Sequence, residues 1–362
     1  MSTRTTRLEG IEASRGAAAV LVVLLHVGTM MSNLYGSIPF AGLFVFGHAG
    51  VDFFFVLSGF IITYIHASDI GQTGRLAHFW RKRFWRIYPV YWVVSAGYLA
   101  LLLYSPTAAR EERDLLHVVA SMLLWPEAAS PILGVGWSLR HELLFYALFS
   151  IAILHRRIGL AILALWGVGI ASNAVGVMTL GHPLFGGIAD LIVFRTFNLG
   201  FFFGIGVALL VRRAPWRPEL LVYAGLAVFL TVGLSEAYGP VILFEHPIRQ
   251  IAYAASSAAM LYGAAILDRT GAWTVPRWAV ALGSASYSIY LAHVPAGVIL
   301  AELIKRSRAV LPLPADLAFV ITAVGAVTAG LIVHRFAERP IMRYVAGQRR
   351  TAEARPGSGV TE

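Results

Sequence analysis

The sequence predicts an all-α, polytopic integral membrane protein of about ten transmembrane helices, and two observations carry that prediction. The 362 residues are 58% hydrophobic and only 13% charged, with a mean hydropathy of +0.71. An ordinary soluble domain is nearer half apolar and a quarter charged, and one of this size still exposes roughly a quarter of its unfolded surface. Too few charged residues are present to cover that surface. The second observation is length: charge-free stretches recur at about the ~20 residues that a helix needs to cross a bilayer. Soluble enzymes, secreted domains and nucleic-acid-binding modules are thereby excluded, despite a formal net charge of +10. The chain contains no cysteine, which excludes disulfide frameworks, thiolate metal sites and cysteine nucleophiles.

Taken in order, the first apolar run follows Arg4, Arg7, Glu9 and Glu12. It is long and lacks a small-residue cleavage site, so it reads as a retained helix rather than a removable signal. Between residues 16 and 68 the only charged residue is Asp52, which gives two spans joined through a turn region at 31–42. Further spans are expected at 88–105, 137–155, 158–180, 190–211, 219–236, 250–268, 279–303 and 314–335. The longest polar loop is 105–136. Residues 1–346 form one transmembrane domain, and 347–362 (GQRRTAEARPGSGVTE) have the composition of a disordered cytoplasmic tail. With both termini inside, 20 of the 29 Lys and Arg fall in cytoplasmic segments and only six outside. That bias satisfies the positive-inside rule and orients the chain N-in and C-in.

Polar groups inside a membrane are costly and are usually functional. Arg15 and His26 are eleven residues apart, about 20° from a whole number of turns and a rise of ~16.5 Å. They share one face of the first helix, which favours function over a lone anchor and a lone helix–helix hydrogen bond. Asp52, near the outer end of the second helix, could orient a histidine, pair with a neighbour or snorkel to the interface. Ser58 and Gly59 read as small residues for close packing. In the stretch WSLRHELLFY, Ser138 and Glu142 are spaced i,i+4 on one face, while Trp137 has the position of an interfacial aromatic. Ser286, Tyr290 and His293 follow at i, i+4 and i+7. By depth, His26, Asp52, Glu142 and His293 can converge on one outer pocket. On the inner side, HFWRKRFWRIYP (78–89) interleaves cations with aromatics. That pattern suits an interfacial segment attracted to anionic lipid. It suits equally a phosphate-rich ligand, with Arg giving bidentate contacts and aromatics stacking a base. Moving a group across the membrane from a cytoplasmic nucleotide-like donor fits this layout, and so does a proton-coupled transporter or flippase.

These pieces together resemble the integral-membrane acyltransferase 3 family, bacterial proteins that O-acylate exopolysaccharides, O-antigens, Nod factors and macrolides. Arg15 and His26 reproduce its Arg-x10-His signature. GVDFFFVLSGFIIT (50–63), RFWRIYPVYW (83–92), WSLRHELLFY (137–146), SYSIYLAH (286–293) and ERP (338–340) look like its other recurring stretches, in order. Arg140 and His141 stand where the family more often has uncharged residues. The resemblance implies a ten-span protein of the bacterial inner membrane. It implies acetyl-CoA or another short acyl-CoA as cytoplasmic donor, a glycan hydroxyl as acceptor near the outer face, and neither a metal nor a nucleic-acid partner. His26 would then be the catalytic base, with Glu142, Asp52 and His293 as further catalytic candidates. Arg15, Arg81, Arg83, Arg86 and Tyr88 would bind the donor, and Ser138, Tyr290 and Trp137 are substrate or oxyanion candidates. The chemistry agrees, since imidazole titrates in the range needed to take a hydroxyl proton.

Overall fold

A computed structural model of the chain describes residues 8–104, 114–213, 215, 217–239 and 247–353. No strand occurs among the described residues, and ten of the helical segments are long and apolar enough to span a membrane. Helix α1 (Glu9–Tyr35) starts on the carboxylate of Asp268, which accepts the backbone N–H of Gly10 at 2.9 Å and of Ile11 at 3.1 Å. The first N–H groups of a helix have no partner within it, so a carboxylate satisfies them and complements the dipole. Gly36 ends α1 with φ of 69°, its N–H donating to the Ser32 carbonyl. Helix α2 (Ala49–His66) returns through the membrane.

The third span begins well before residue 88. Helix α3 runs Leu76–Tyr104 with Pro89 inside it, so the basic run 78–86 is helical and is held by the fully buried Phe79. Arg and Lys are good helix formers whose heads can snorkel while their stems pack. A short helix α4 (Leu115–Leu123) lies in the polar loop, whose residues 105–113 are outside the described set. Helices α5 (Trp137–Leu154) and α6 (Arg156–Leu180) divide at His155, as the sequence suggests. Helices α7 (Leu199–Leu210), α8 (Pro218–Tyr238) and α9 (Pro247–Thr270) follow.

The expected single span at 279–303 is two helices, α10 (Arg277–Ser284) and α11 (Ser286–Ser307), divided at Ala285. Docking of α10 on α1 accounts for the break. A Cβ placed on Gly283 would lie 1.7 Å from the Glu12 carbonyl oxygen, and one on Gly16 would lie 2.8 Å from the Gly283 nitrogen. Helix α12 (Ala315–Val333) passes through one π-helical turn, His334–Glu338, into α13 (Arg339–Glu353). Helix α13 thus enters the segment expected to be a disordered tail, and the rest of that tail lies outside the described residues.

Close helix contact is set by small residues. A Cβ at Gly204 of α7 would sit 1.9 Å from the Val56 carbonyl oxygen, and one at Gly59 of α2 would sit 2.1 Å from that of Phe201. Helix–helix association in lipid relies on such backbone approach, because apolar area gains nothing from facing another helix instead of an acyl chain. The aromatic interior, with Phe79, Tyr91, Phe145, Tyr146, Phe149 and Phe201 nearly fully buried, lies beside the site.

Candidate functional site

A cavity of about 420 Å³ runs between α1, α2, α3, α5, α11 and α13, within the range of small-molecule sites. Arg15, Lys82, Arg83 and Arg86 line it together with Trp85 and, from α13, Met342, Val345 and Ala346. Along α5 its wall is Ser138, Glu142 and Tyr146, at successive turns of one face. Arg83 stacks over the Tyr146 ring at 5.7 Å, so Tyr146 marks the cationic end. Tyr290 meets Ser138 at 2.7 Å and marks the other end.

The cations are held differently. Arg86 Nη1 donates to Glu338 Oε1 at 2.6 Å, and its guanidinium lies 4.9 Å over the Tyr287 ring. Glu338 Oε2 accepts from Ser288 at 2.7 Å and lies 2.8 Å from His334 Nδ1. Three donors therefore converge on one buried carboxylate, which the π turn aims back at α3. The Nε–H groups of Arg15 and Arg83, by contrast, are buried without a hydrogen-bond partner. A buried donor left unmade costs about 1–3 kcal/mol, so this end of the cavity fits a phosphate-bearing ligand that supplies acceptors. Glu142 Oε1 accepts from Ser58 at 3.0 Å and from Tyr146. Ser58 is thus a hydrogen-bonding partner in the cavity wall rather than a packing residue alone.

At the far end three groups share two protons. Tyr290 Oη lies 3.1 Å and Ser138 Oγ 3.2 Å from the Val135 carbonyl, and 2.7 Å from each other. Whichever hydroxyl donates to Val135, the second donates to the first, so both protons are engaged.

One turn beyond Tyr290 on α11, His293 faces His26, with ring centroids 4.9 Å apart. Carbonyl oxygens only accept, and that fixes the tautomers. His293 Nδ1 lies 3.3 Å from the Ile289 carbonyl and must donate there, which leaves its Nε2 as an acceptor. His26 Nδ1 lies 2.9 Å from the Val22 carbonyl and 3.2 Å from His293 Nε2, so its single N–H is shared between these two acceptors. In the neutral imidazole the remaining nitrogen of His26, Nε2, then carries the lone pair.

The four residues expected to converge do not all meet. His26 and His293 pair, Glu142 sits lower in the cavity wall, and Asp52 belongs to a separate buried cluster. Asp52 Oδ2 is 3.9 Å from His48 Nδ1, and His48 Nε2 lies 2.8 Å from Glu236. Glu236 also accepts from Arg249 at 2.8 Å and Tyr253 at 2.9 Å. The helix explains the separation. Phe54 packs on Tyr290 at 6.0 Å, and Asp52, two residues earlier, is turned about 200° away, toward α8 and α9.

Arg81 is exposed and does not line the cavity, and Tyr88 packs between Phe84 and Trp92 while donating to the Leu123 carbonyl. Lys82 and Trp85 occupy the wall instead, as the 100° helical step dictates. Trp137 packs on Phe55, His141 and Phe197 outside the cavity. Arg140 donates to Glu127 and to the Ala129 carbonyl, pinning the loop before α5, and His141 pairs with Asn198 at 2.9 Å. Among the described residues no group of three or more His, Asp or Glu could hold a metal ion.

Comparison with known proteins adds to this geometry. Over 325 aligned residues the chain is 29% identical to the exopolysaccharide production protein ExoZ of Rhizobium meliloti (strain 1021), covering 85% of this chain and 94% of that protein. It is 28% identical to the acyltransferase MdmB of Streptomyces mycarofaciens, across 100% of this chain and 98% of that one. No solved structure matches at a significant level. The profile of an acyltransferase domain, acyltransferase 3, matches residues 8–335, nearly the whole chain. This protein is a multi-helix membrane acyltransferase and belongs to the acyltransferase 3 family.

Proposed function

We propose that the protein transfers an acetyl or other short acyl group from acyl-CoA to a hydroxyl of a cell-envelope or exported glycan. In this reading the cation-lined mouth faces the cytoplasm of a bacterial inner membrane, as the distribution of basic residues favours. Arg15, Arg83 and Arg86, with Lys82, bind the phosphates of the donor, and Trp85 offers the face on which its base stacks. Glu142 keeps Ser58 and Tyr146 in place and balances the surrounding cations. The pantetheine arm points up the cavity toward Ser138 and Tyr290, which brings the thioester to the turn below the histidine pair.

The acceptor hydroxyl gives its proton to His26 Nε2 as its oxygen attacks the thioester carbonyl. The C–S bond then breaks and the CoA thiolate leaves toward the mouth, where it takes a proton from solvent, while His26 gives the hydroxyl proton up to solvent and is restored as the base. His293 holds His26 in the tautomer that leaves this lone pair available. Ser138 and Tyr290 stabilise the developing oxyanion once a hydroxyl leaves the Val135 carbonyl. Asp52 lies in a separate cluster, in which His48 and Glu236 tie the start of α2 to α8, and Glu236 in turn holds Arg249 and Tyr253 of α9.

The observation that carries the proposal is the His26–His293 pair one turn beyond Tyr290, which lines one end of a cavity whose other end presents unpartnered guanidinium N–H groups. His26→Ala as the sole copy in the native host, with O-acyl groups on surface glycans read by NMR, is the test. Loss of a general base costs about 10²–10⁴-fold. Acylation persisting at the wild-type rate would refute the role of His26. Radiolabelled acetyl-CoA separates transfer from transport, since label must appear in the glycan fraction.

A further inference from the structure

We infer that Phe54 sets the length of the acyl group this protein transfers, holding it to acetyl-sized groups by occupying the space a longer chain would need at the Tyr290 end of the donor cavity; this rests on the transferase reading above. From Ala49 to Phe60 every residue of α2 is buried except Phe54 and Ser58. The two stand one turn apart on one face of the helix, and both line the cavity.

The pairing of α2 with α5 fixes the level at which the ring stands. Ser58 donates to Glu142 Oε1 at 3.0 Å. One turn back along each helix are Phe54 and Ser138, and Tyr290 of α11 meets both. Its hydroxyl lies 2.7 Å from Ser138 Oγ, and its ring lies 6.0 Å from the Phe54 ring at 71°. A thioester carbonyl that takes its hydrogen bonds from Ser138 and Tyr290 therefore sets its acyl carbons beside the Phe54 ring.

Phe54 is also the residue at this end with surface to offer. Val51, Ser138, Leu139 and Tyr290 line the same end but are only 4–6% exposed, so their side chains are committed to packing. The Phe54 ring, half-buried, cannot easily retreat. It packs against three separate groups of core residues, one built mainly on α3 and α5, one on α2 and α9, and one on α1, α11 and α12. Close-packed surroundings on so many sides resist displacement of the ring.

A longer chain has no way round it. Neither His26 nor His293 lines the cavity, although the His293 ring stands 6.0 Å from that of Tyr290. That side is where the acceptor hydroxyl attacks, so the acyl chain cannot extend there. An acetyl methyl fits against the Phe54 ring, whereas each further methylene has to displace it. One methylene in an apolar pocket discriminates between substrates by about 10–200-fold.

The test uses inside-out membrane vesicles of the native host with each variant of the full chain as the sole copy. They are supplied with acetyl-, propionyl-, butyryl- or hexanoyl-CoA radiolabelled in the acyl carbonyl, and label in the glycan fraction is counted. The wild-type chain is expected to transfer acetyl about tenfold or more faster than butyryl. Phe54→Ala is expected to raise the butyryl-to-acetyl ratio about tenfold or more, and Phe54→Leu to raise it by less, while Phe54→Trp lowers the propionyl-to-acetyl ratio. The dissociation constant of CoA itself, which carries no acyl group, is measured on the purified variants and is expected to change less than twofold. The inference is overturned if the wild-type chain transfers butyryl as fast as acetyl, or if the ratio in Phe54→Ala and Phe54→Leu stays within twofold of wild type. It is overturned equally if transfer of every acyl group and CoA affinity fall together, which is what lost packing alone would give. Label from none of the four donors reaching the glycan with the wild-type chain would instead refute the transferase reading, and the length limit with it.

Discussion

Replacing Glu338 by glutamine tests whether the π turn between α12 and α13 exists to hold Arg86 for the donor. In the structure the carboxylate gathers Arg86, Ser288 and His334 at 2.6, 2.7 and 2.8 Å. Glutamine keeps the size but offers one acceptor oxygen and an amide that itself donates. At least one of the three donors then faces an N–H, and Arg86 loses its counter-charge in every arrangement. A hydrogen bond to a charged group contributes about 1.5–3 kcal/mol, and a fully buried pair broken from one side costs about 3–5 kcal/mol. The Arg86 side chain is 30% exposed, so the lower range applies. If most of that loss reaches the guanidinium that grips the donor, acetyl-CoA binding weakens about 10–30-fold, or about 1.4–2 kcal/mol. Calorimetric titration of the purified protein in detergent reads this directly, with kcat at saturating donor measured separately. The cycle with Arg86→Gln isolates the route: if Glu338 acts through Arg86, the double variant binds no more weakly than Arg86→Gln alone. Wild-type affinity in Glu338→Gln, or effects that add in full, would refute the argument.

Other expectations follow from the same geometry. His293→Ala should lower kcat about 10–100-fold while leaving the acetyl-CoA dissociation constant unchanged, because it removes the partner that shares the His26 Nδ1 proton; equal losses in both would mean a packing role only. Trp85→Ala should raise the donor KM several-fold at near-constant kcat, as steady-state kinetics with purified protein would show, whereas Tyr88→Ala should leave donor KM alone. Gly204→Val should be among the most destabilising changes in the membrane domain, since a Cβ there lies 1.9 Å from the Val56 carbonyl oxygen; overpacking costs about 1–3 kcal/mol or more, and detergent thermal melts should fall accordingly. Glu236→Gln should lower the melting transition and leave donor affinity intact, because its cluster with His48 and Arg249 does not line the donor cavity.

The fold was legible because bilayer thickness imposes one length on every span, and charge-free runs report it. What escaped the sequence was anything decided by packing between elements. The break at Ala285 has no proline or charge to announce it; it follows from α10 docking on α1 through Gly283 and Gly16. Residues on one helix could be paired by arithmetic, so Arg15 with His26, and Ser138 with Glu142, were found. Residues on different helices could be matched only by depth, and depth does not report rotation about the axis. Asp52 therefore seemed to face His26 when its helix turns it toward Glu236. In the same way Tyr88, expected at the donor site, lies outside the cavity, whereas Trp85, about 60° from it on α3, lines it. Glu338 was legible as part of a motif, but its role needed the π turn that aims it back at Arg86.

The chain of hydroxyls at Tyr290 and Ser138 has one more consequence. Val135 presents to them a backbone carbonyl, the same functional group as the reacting part of a thioester. A thioester carbonyl entering here would exchange places with a built-in mimic, and the tally of hydrogen bonds would not change. Ground-state recognition at that spot is therefore close to thermoneutral. A neutral thioester gains little by displacing Val135, whereas an oxygen that has taken on negative charge gains much, because charge-assisted bonds are roughly twice as strong. Under the proposed role of Ser138 and Tyr290, the peptide carbonyl would act as a threshold that only the charged form of the reacting oxygen clears, and selectivity for the transition state over the ground state would be written into the backbone.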